Sequence, residues 1–297
     1  MCWGVIPPML KYLTGPGLVP DGFTANMVRY PIAAAIYFPW FIISLRKGLG
    51  RFWLAALLPA AANIIAQALY AAAPYYMNAS LMAFLSRLCA VWSILGAFWL
   101  FPEERRVAGK PLFWIGAILA ISGFVVMSSL GLRLGTGITI TGIVIILFGS
   151  LSYSMYELAV RYVIGRTHAL QAFAIISIYT SVGLVGLAPL GRPALVLHLP
   201  RFAIIMLIVS AIIGIGCAHG LYYIAVKRIG VAVSSLVLMV SPFISLFCAS
   251  VFLHERLSIG QWGGGVLLTL GSVMVIWTHQ HLSHGPAAVN PQPLEKR

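Results

Sequence analysis

Apolar runs long enough to cross a bilayer recur along this chain from one end to the other, and they leave little room for any other kind of fold. About 20 apolar residues of helix span ~30 Å of hydrocarbon. A backbone in lipid must satisfy its own hydrogen bonds, so runs of that length become helices. Bounding the runs by Gly, Pro and charge predicts spans at 24–45, 52–76, 78–101, 112–131, 138–160, 170–190, 202–226, 229–253 and 258–277. Ahead of them, "MCWGVIPPMLKYL" is too short to cross and opens as though already inside a helix. It is expected to be a tenth span whose first turns precede the sequence. With 8% charged residues, against roughly 25% in a soluble domain, no stretch is left for a soluble domain of useful size. The expected fold class is an all-α integral membrane protein of ten helices.

A net charge of +13 raises the question of nucleic acid, but the basic residues are scattered over short loops and form no single face or arm. Membrane topology accounts for them. With a cytoplasmic N-terminus, the inner side holds Arg46, Lys47, Arg51, Arg105, Arg106, Lys110, Arg161, Arg166, Lys227, Arg228, Lys296 and Arg297. The outer side holds Lys11, Arg133, Arg192, Arg201 and Arg256, and Arg29 and Arg87 stay inside spans. Twelve against five favours both termini in the cytoplasm, which requires an even number of crossings. The four cysteines lie in or beside apolar runs without C-x-x-C spacing and read as small buried apolar residues, neither disulfides nor metal ligands. The Pro-rich tail, 278–297, is expected to be disordered and cytoplasmic, its histidines solvated with no rigid element to hold a metal.

The chain resembles itself at a spacing near 150 residues. "WGVIPPMLKYL" at 3–13 aligns with "YSMYELAVRYV" at 153–163, and "NIIAQALYAA" at 63–72 with "IGCAHGLYYI" at 215–224. The second match pairs Gln67 with His219 and Tyr70 with Tyr222. "PEERR" at 102–106 pairs with "HERLS" at 254–258, and Gly116 and Gly123 pair with Gly264 and Gly271. Two copies are therefore expected, 1–131 and 138–277. An odd number of helices per copy inverts the second relative to the first, an arrangement that lets one central site face each side in turn.

The "WG" followed by a basic residue in the first helix, the run "SPFISLFCASVFLHERLSIGQWGGGVLLTLG" at 241–271 and the five-plus-five repeat resemble the drug/metabolite transporter superfamily, EamA type. The resemblance covers nearly the whole chain. It implies ten helices around a central cavity, export of amino acids or other small metabolites by proton coupling or exchange, and a bacterial inner membrane. The first copy departs from the pattern at Ser86-Arg87, where the second has Ser241-Pro242.

Arg87 lies near the midplane, where a charge costs at least ~2.5–3.5 kcal/mol. One reading places it on a cavity, its planar fork holding a carboxylate or phosphate; the other makes it a structural group that caps broken-helix carbonyls or pairs with Glu157. Glu157 is the one acid within a span. It reads either as a proton-coupling carboxylate or amine counter-ion, or as half of an interfacial pair with Arg161. Gln67 and His219 are expected to line the cavity because they occupy matched positions, with interhelical hydrogen bonding as the alternative. Tyr70 and Tyr222 share that expectation, while Trp3, Trp92, Tyr153, Tyr156 and Tyr223 are assigned to packing or interfacial belts. Asn63 and Asn78 join the polar lining. Pro242, Pro7 and Pro8 interrupt helices and are candidate hinges, Pro242 by freeing the carbonyl of Leu238. Arg29, near the start of the second helix, is expected to snorkel outward.

A membrane-embedded enzyme would need clustered carboxylates or a catalytic motif, and the sequence has no H-E-x-x-H, G-x-S-x-G or aspartate pair. It has no phosphate-binding loop for a primary pump. The expectation is a secondary transporter without a resident cofactor, with proton coupling open, moving a small charged or zwitterionic metabolite. An Arg87 and Glu157 that share a cavity suit an amino acid; Arg87 alone suits a carboxylate or phosphorylated solute.

Overall fold

The structure, a computed structural model, describes residues 2–48, 50–100, 107, 109–135, 137–164, 167–225 and 237–283. Within them the chain is helical nearly throughout, and extended pairing is confined to one antiparallel bridge, Met77 with Ile138. The helical segments are α1 (Ile6–Leu13), α2 (Gly22–Lys47), α3 (Phe52–Tyr75), α4 (Ala79–Leu100), α5 (Pro111–Arg133), α6 (Ile140–Val163), α7 (Ala169–Leu190), α8 (Arg201–Ala225), α9 (Ser241–Phe252) and α10 (Ile259–Thr278). Eight are long and apolar enough to cross a membrane; α1 and α9 are shorter. Large apolar side chains such as Leu54, Trp99, Ile140 and Phe247 point outward, as lipid-facing residues do. The chain is an all-α integral membrane protein.

Helix boundaries follow local chemistry. Asp21 starts α2: its Oδ1 accepts the Thr24 amide at 2.7 Å and its Oδ2 accepts the Thr24 hydroxyl at 2.9 Å. The helix ends at Gly48, whose φ of 57° suits a left-handed cap. Pro7 and Pro8 sit in the first turn of α1, behind a 3-10 turn at Cys2–Val5. No helical hydrogen bond is lost there, so they start this helix and do not break it. The predicted span at 229–253 is described from 237 on, and "PEERR" lies outside the described residues. The last helix runs on to Ser283, past the expected start of a disordered tail at 278; residues 284–297 lie outside the described residues.

Several helices depart from regularity, α3 at Ala56 among them. A 3-10 turn at Ser86–Leu88 divides α4, a π turn at Ile212–Cys217 interrupts α8, and a turn at 239–240 precedes Pro242 in the first turn of α9. Two serines bridge the breaks: Ser86 Oγ donates to Ala83 O at 3.0 Å, and Ser241 Oγ donates to Leu238 O at 2.7 Å, the carbonyl that Pro242 leaves unpaired.

One buried apolar cluster joins α4, α5 and α10, a second joins α2, α7 and α8, and α6 contributes to both, Ile146 to the first and Tyr156 to the second. Helices α5 and α10 approach so closely at their glycines that a Cβ on Gly116 would stand 2.9 Å from the carbonyl oxygen of Gly271. One on Gly123 would stand 2.5 Å from that of Gly264. Small residues allow that approach in lipid.

Candidate functional site

Between the two clusters lies a partly open cavity lined by residues of both. Its polar lining comes from both halves of the chain: Arg29 on α2, Gln67 and Tyr70 on α3, Ser86 and Arg87 on α4, Ser150, Tyr153 and Glu157 on α6, and His219 on α8. Trp3 and the stretch at Leu238 and Met239 close it.

Arg87 stands in the 3-10 turn of α4. Its Nη2 donates to Ser86 Oγ at 3.3 Å, and its Nε is buried without a partner. The arginine thus keeps most of its donors for the cavity it lines. Glu157 lies on the same cavity and is held by hydroxyls: Ser93 Oγ donates to Oε2 at 2.6 Å, and Tyr222 OH reaches Oε1 at 3.4 Å. It therefore faces inward, and the interfacial pairing with Arg161 does not describe it.

The π turn of α8 shapes the opposite wall. Its looser hydrogen bonding leaves carbonyls for side chains: Trp3 Nε1 donates to Gly214 O at 2.8 Å, and Tyr37 OH donates to Gly216 O at 2.8 Å. His219 Nδ1 lies 3.2 Å from Gly214 O, so the proton belongs on that nitrogen. Its ring stacks on Phe173 at 5.7 Å and meets the edge of Trp3 at 4.9 Å, and its Nε2 is buried without a partner.

Arg87, Glu157, Gln67, His219 and Tyr70 come together as read from the sequence. Tyr222 touches the site through Glu157. Asn63 does not line the cavity; its Nδ2 donates to Thr180 Oγ1 on α7 at 3.2 Å. Asn78 lies at the entrance to α4, its amide bonded to Gly137 O at 2.7 Å. Arg29 is the main correction: it does not snorkel but is 2% exposed, its Nε donating to Ser210 Oγ at 3.0 Å and its Nη1 to Asn26 Oδ1 at 3.3 Å. The sequence signal for it was the Asp21/Thr24 cap, which starts the helix early enough to put Arg29 two turns inside. Trp3 and Tyr153, assigned to packing, line the cavity. The cysteines are free, but Cys217 is exposed on the helix surface.

Set against known protein families, residues 140–277 match the EamA-like transporter family. Residues 140–277 are thus similar to an EamA-like transporter. That EamA-like stretch runs over α6 to α10 and supplies Glu157 and His219 to the cavity. Among curated proteins no sequence matches the chain. A solved crystal structure superposes with a TM-score of 0.59 over 95% of this chain and 94% of that one at 18% identity, which shows a shared fold.

Proposed function

We propose that the chain is a secondary transporter that carries a small charged or zwitterionic metabolite through this cavity by alternating access, as an exporter or exchanger. The observation that carries the reading is Arg87, a guanidinium with unspent donors, lining one cavity with Glu157. A carboxylate or phosphate docks on Arg87, and Glu157 serves as amine counter-ion or proton-coupling group. We read the chain as ten crossings in two inverted copies, 1–131 and 138–277. Both termini then lie on the cytoplasmic side of a bacterial inner membrane, in line with twelve loop cations against five.

The glycine contacts support the symmetry. If Gly116 corresponds to Gly264 and Gly123 to Gly271, a two-fold axis converts the contact of Gly116 with Gly271 into that of Gly264 with Gly123, and both contacts are present. The matched serines at the helix breaks behave alike, each bonding the carbonyl three residues back. We assign the hinges to those breaks: the turn at Ser86–Leu88 and the Pro242 junction.

Cys89 lines the cavity, which gives a test needing no known substrate. With Cys2, Cys217 and Cys248 replaced, a small membrane-impermeant thiol reagent added to either face of oriented vesicles should label Cys89. Labelling from one face alone under all conditions would contradict alternating access.

A further inference from the structure

The cavity holds more positive charge than a zwitterion can balance. Arg29 and Arg87 both line it. The hydrogen bonds of Arg29 go to Ser210 and Asn26 and the one from Arg87 goes to Ser86. All three acceptors are neutral; the carboxyl within electrostatic reach of Arg87 is Glu157, which can offset one of the two charges. Arg29 spends only Nε and Nη1 in those bonds; among the described residues Nη2 is left for the cavity. Tyr70 lies in the field of both arginines. Against two cations the lining sets one carboxyl, Glu157, and that carboxyl is taken up by the hydroxyls of Ser93 and Tyr222. The remaining titratable walls, His219, Tyr70, Tyr153 and Cys89, carry no compensating charge in their neutral forms.

We propose that the site selects a solute of net negative charge, its oxyanion group or groups held between Arg29 and Arg87, over a zwitterion or amide of the same size. The inference rests on the transport reading above and narrows its substrate class. A buried, unneutralised charge is costly in a low-dielectric site. A net-neutral solute leaves one guanidinium uncompensated, whereas an anion removes that cost and gains charge-assisted bonds to two donor forks. Carboxylates and phosphates share this chemistry.

The test is counterflow in proteoliposomes with matched pairs that differ in charge: glutamate with glutamine, succinate with succinamide, and glycerol 3-phosphate with glycerol. In at least one pair the anion should exchange ten-fold faster or more than its partner, and which pair responds separates carboxylate from phosphate. Arg29→Gln should reduce that ratio toward one, and Arg29→Lys should keep most of it. A purely structural Arg29 would slow both members alike, which would overturn its part in the proposal. Equal rates in the wild type, or preference for the neutral member, would overturn charge selection and leave transport standing. If no member of any pair moves, the transport reading falls and the proposal with it.

Discussion

Replacing Gly123 or Gly271 with alanine should force α5 and α10 apart, and by similar amounts. A Cβ on Gly123 falls onto the backbone nitrogen of Leu268 and 2.5 Å from the Gly264 carbonyl oxygen; one on Gly271 meets Ala120 N and, at 2.5 Å, Gly116 O. All are backbone atoms, so no side chain can swing away. Reaching even a 3.4 Å contact requires about 0.9 Å of separation, and a gap of ~0.5–1 Å forfeits a quarter to a half of each dispersion contact along the seam. The expected cost is about 1–3 kcal/mol for each variant, read as a fall of several degrees in the unfolding midpoint of the purified protein in detergent. Gly263 on the same helix has nothing within 4 Å of its Cβ position, so Gly263→Ala should be neutral or stabilise by ~0.5–1 kcal/mol. The reasoning is refuted if Gly271→Ala unfolds like the wild type, or if Gly263→Ala costs as much. Unequal costs at Gly123 and Gly271 would count against the two-fold relation of the copies.

Glu255 accepts the Ala79 and Ser80 amides at 2.8 and 2.9 Å and the Ser80 hydroxyl at 2.7 Å, capping α4 from the loop after α9. Glu255→Ala should therefore cost about 1–3 kcal/mol in thermal unfolding. Trp3→Phe keeps the ring and loses the bond to Gly214 O; a loss of about 0.5–1.5 kcal/mol is expected in the same assay. If Glu157 couples transport to protons, Glu157→Gln should abolish accumulation driven by an imposed pH gradient while counterflow continues. Unchanged accumulation would remove Glu157 from the coupling step.

The membrane class and most helix positions were legible because each rests on one strong signal, the length of an apolar run. Arg87, Glu157, Gln67 and His219 were legible for a related reason: polar groups inside such runs need a cavity or a partner, and the repeat pointed two of them inward. Arg29 was missed because a start at 24 leaves it close enough to the end to snorkel, whereas the Asp21 cap moves the start to Gly22. Asn63 was overread: it stands one turn from Gln67, but α7 packs there and Thr180 takes its amide. Pro7 and Pro8 were read as interruptions because the 3-10 turn ahead of α1 leaves no mark in the sequence. The π turn of α8 has no sequence signature either, although it supplies the carbonyls that position Trp3 and His219.

The central claim is that Arg87 binds the transported solute. The direct measurement is counterflow by the purified protein in proteoliposomes, across labelled amino acids, organic acids and phosphorylated metabolites, with wild type and Arg87→Ala compared at equal, verified folding. The account predicts exchange of at least one solute carrying an oxyanion group by the wild type and its loss in the variant. Exchange at the wild-type rate by Arg87→Ala would contradict it and make this arginine a structural one.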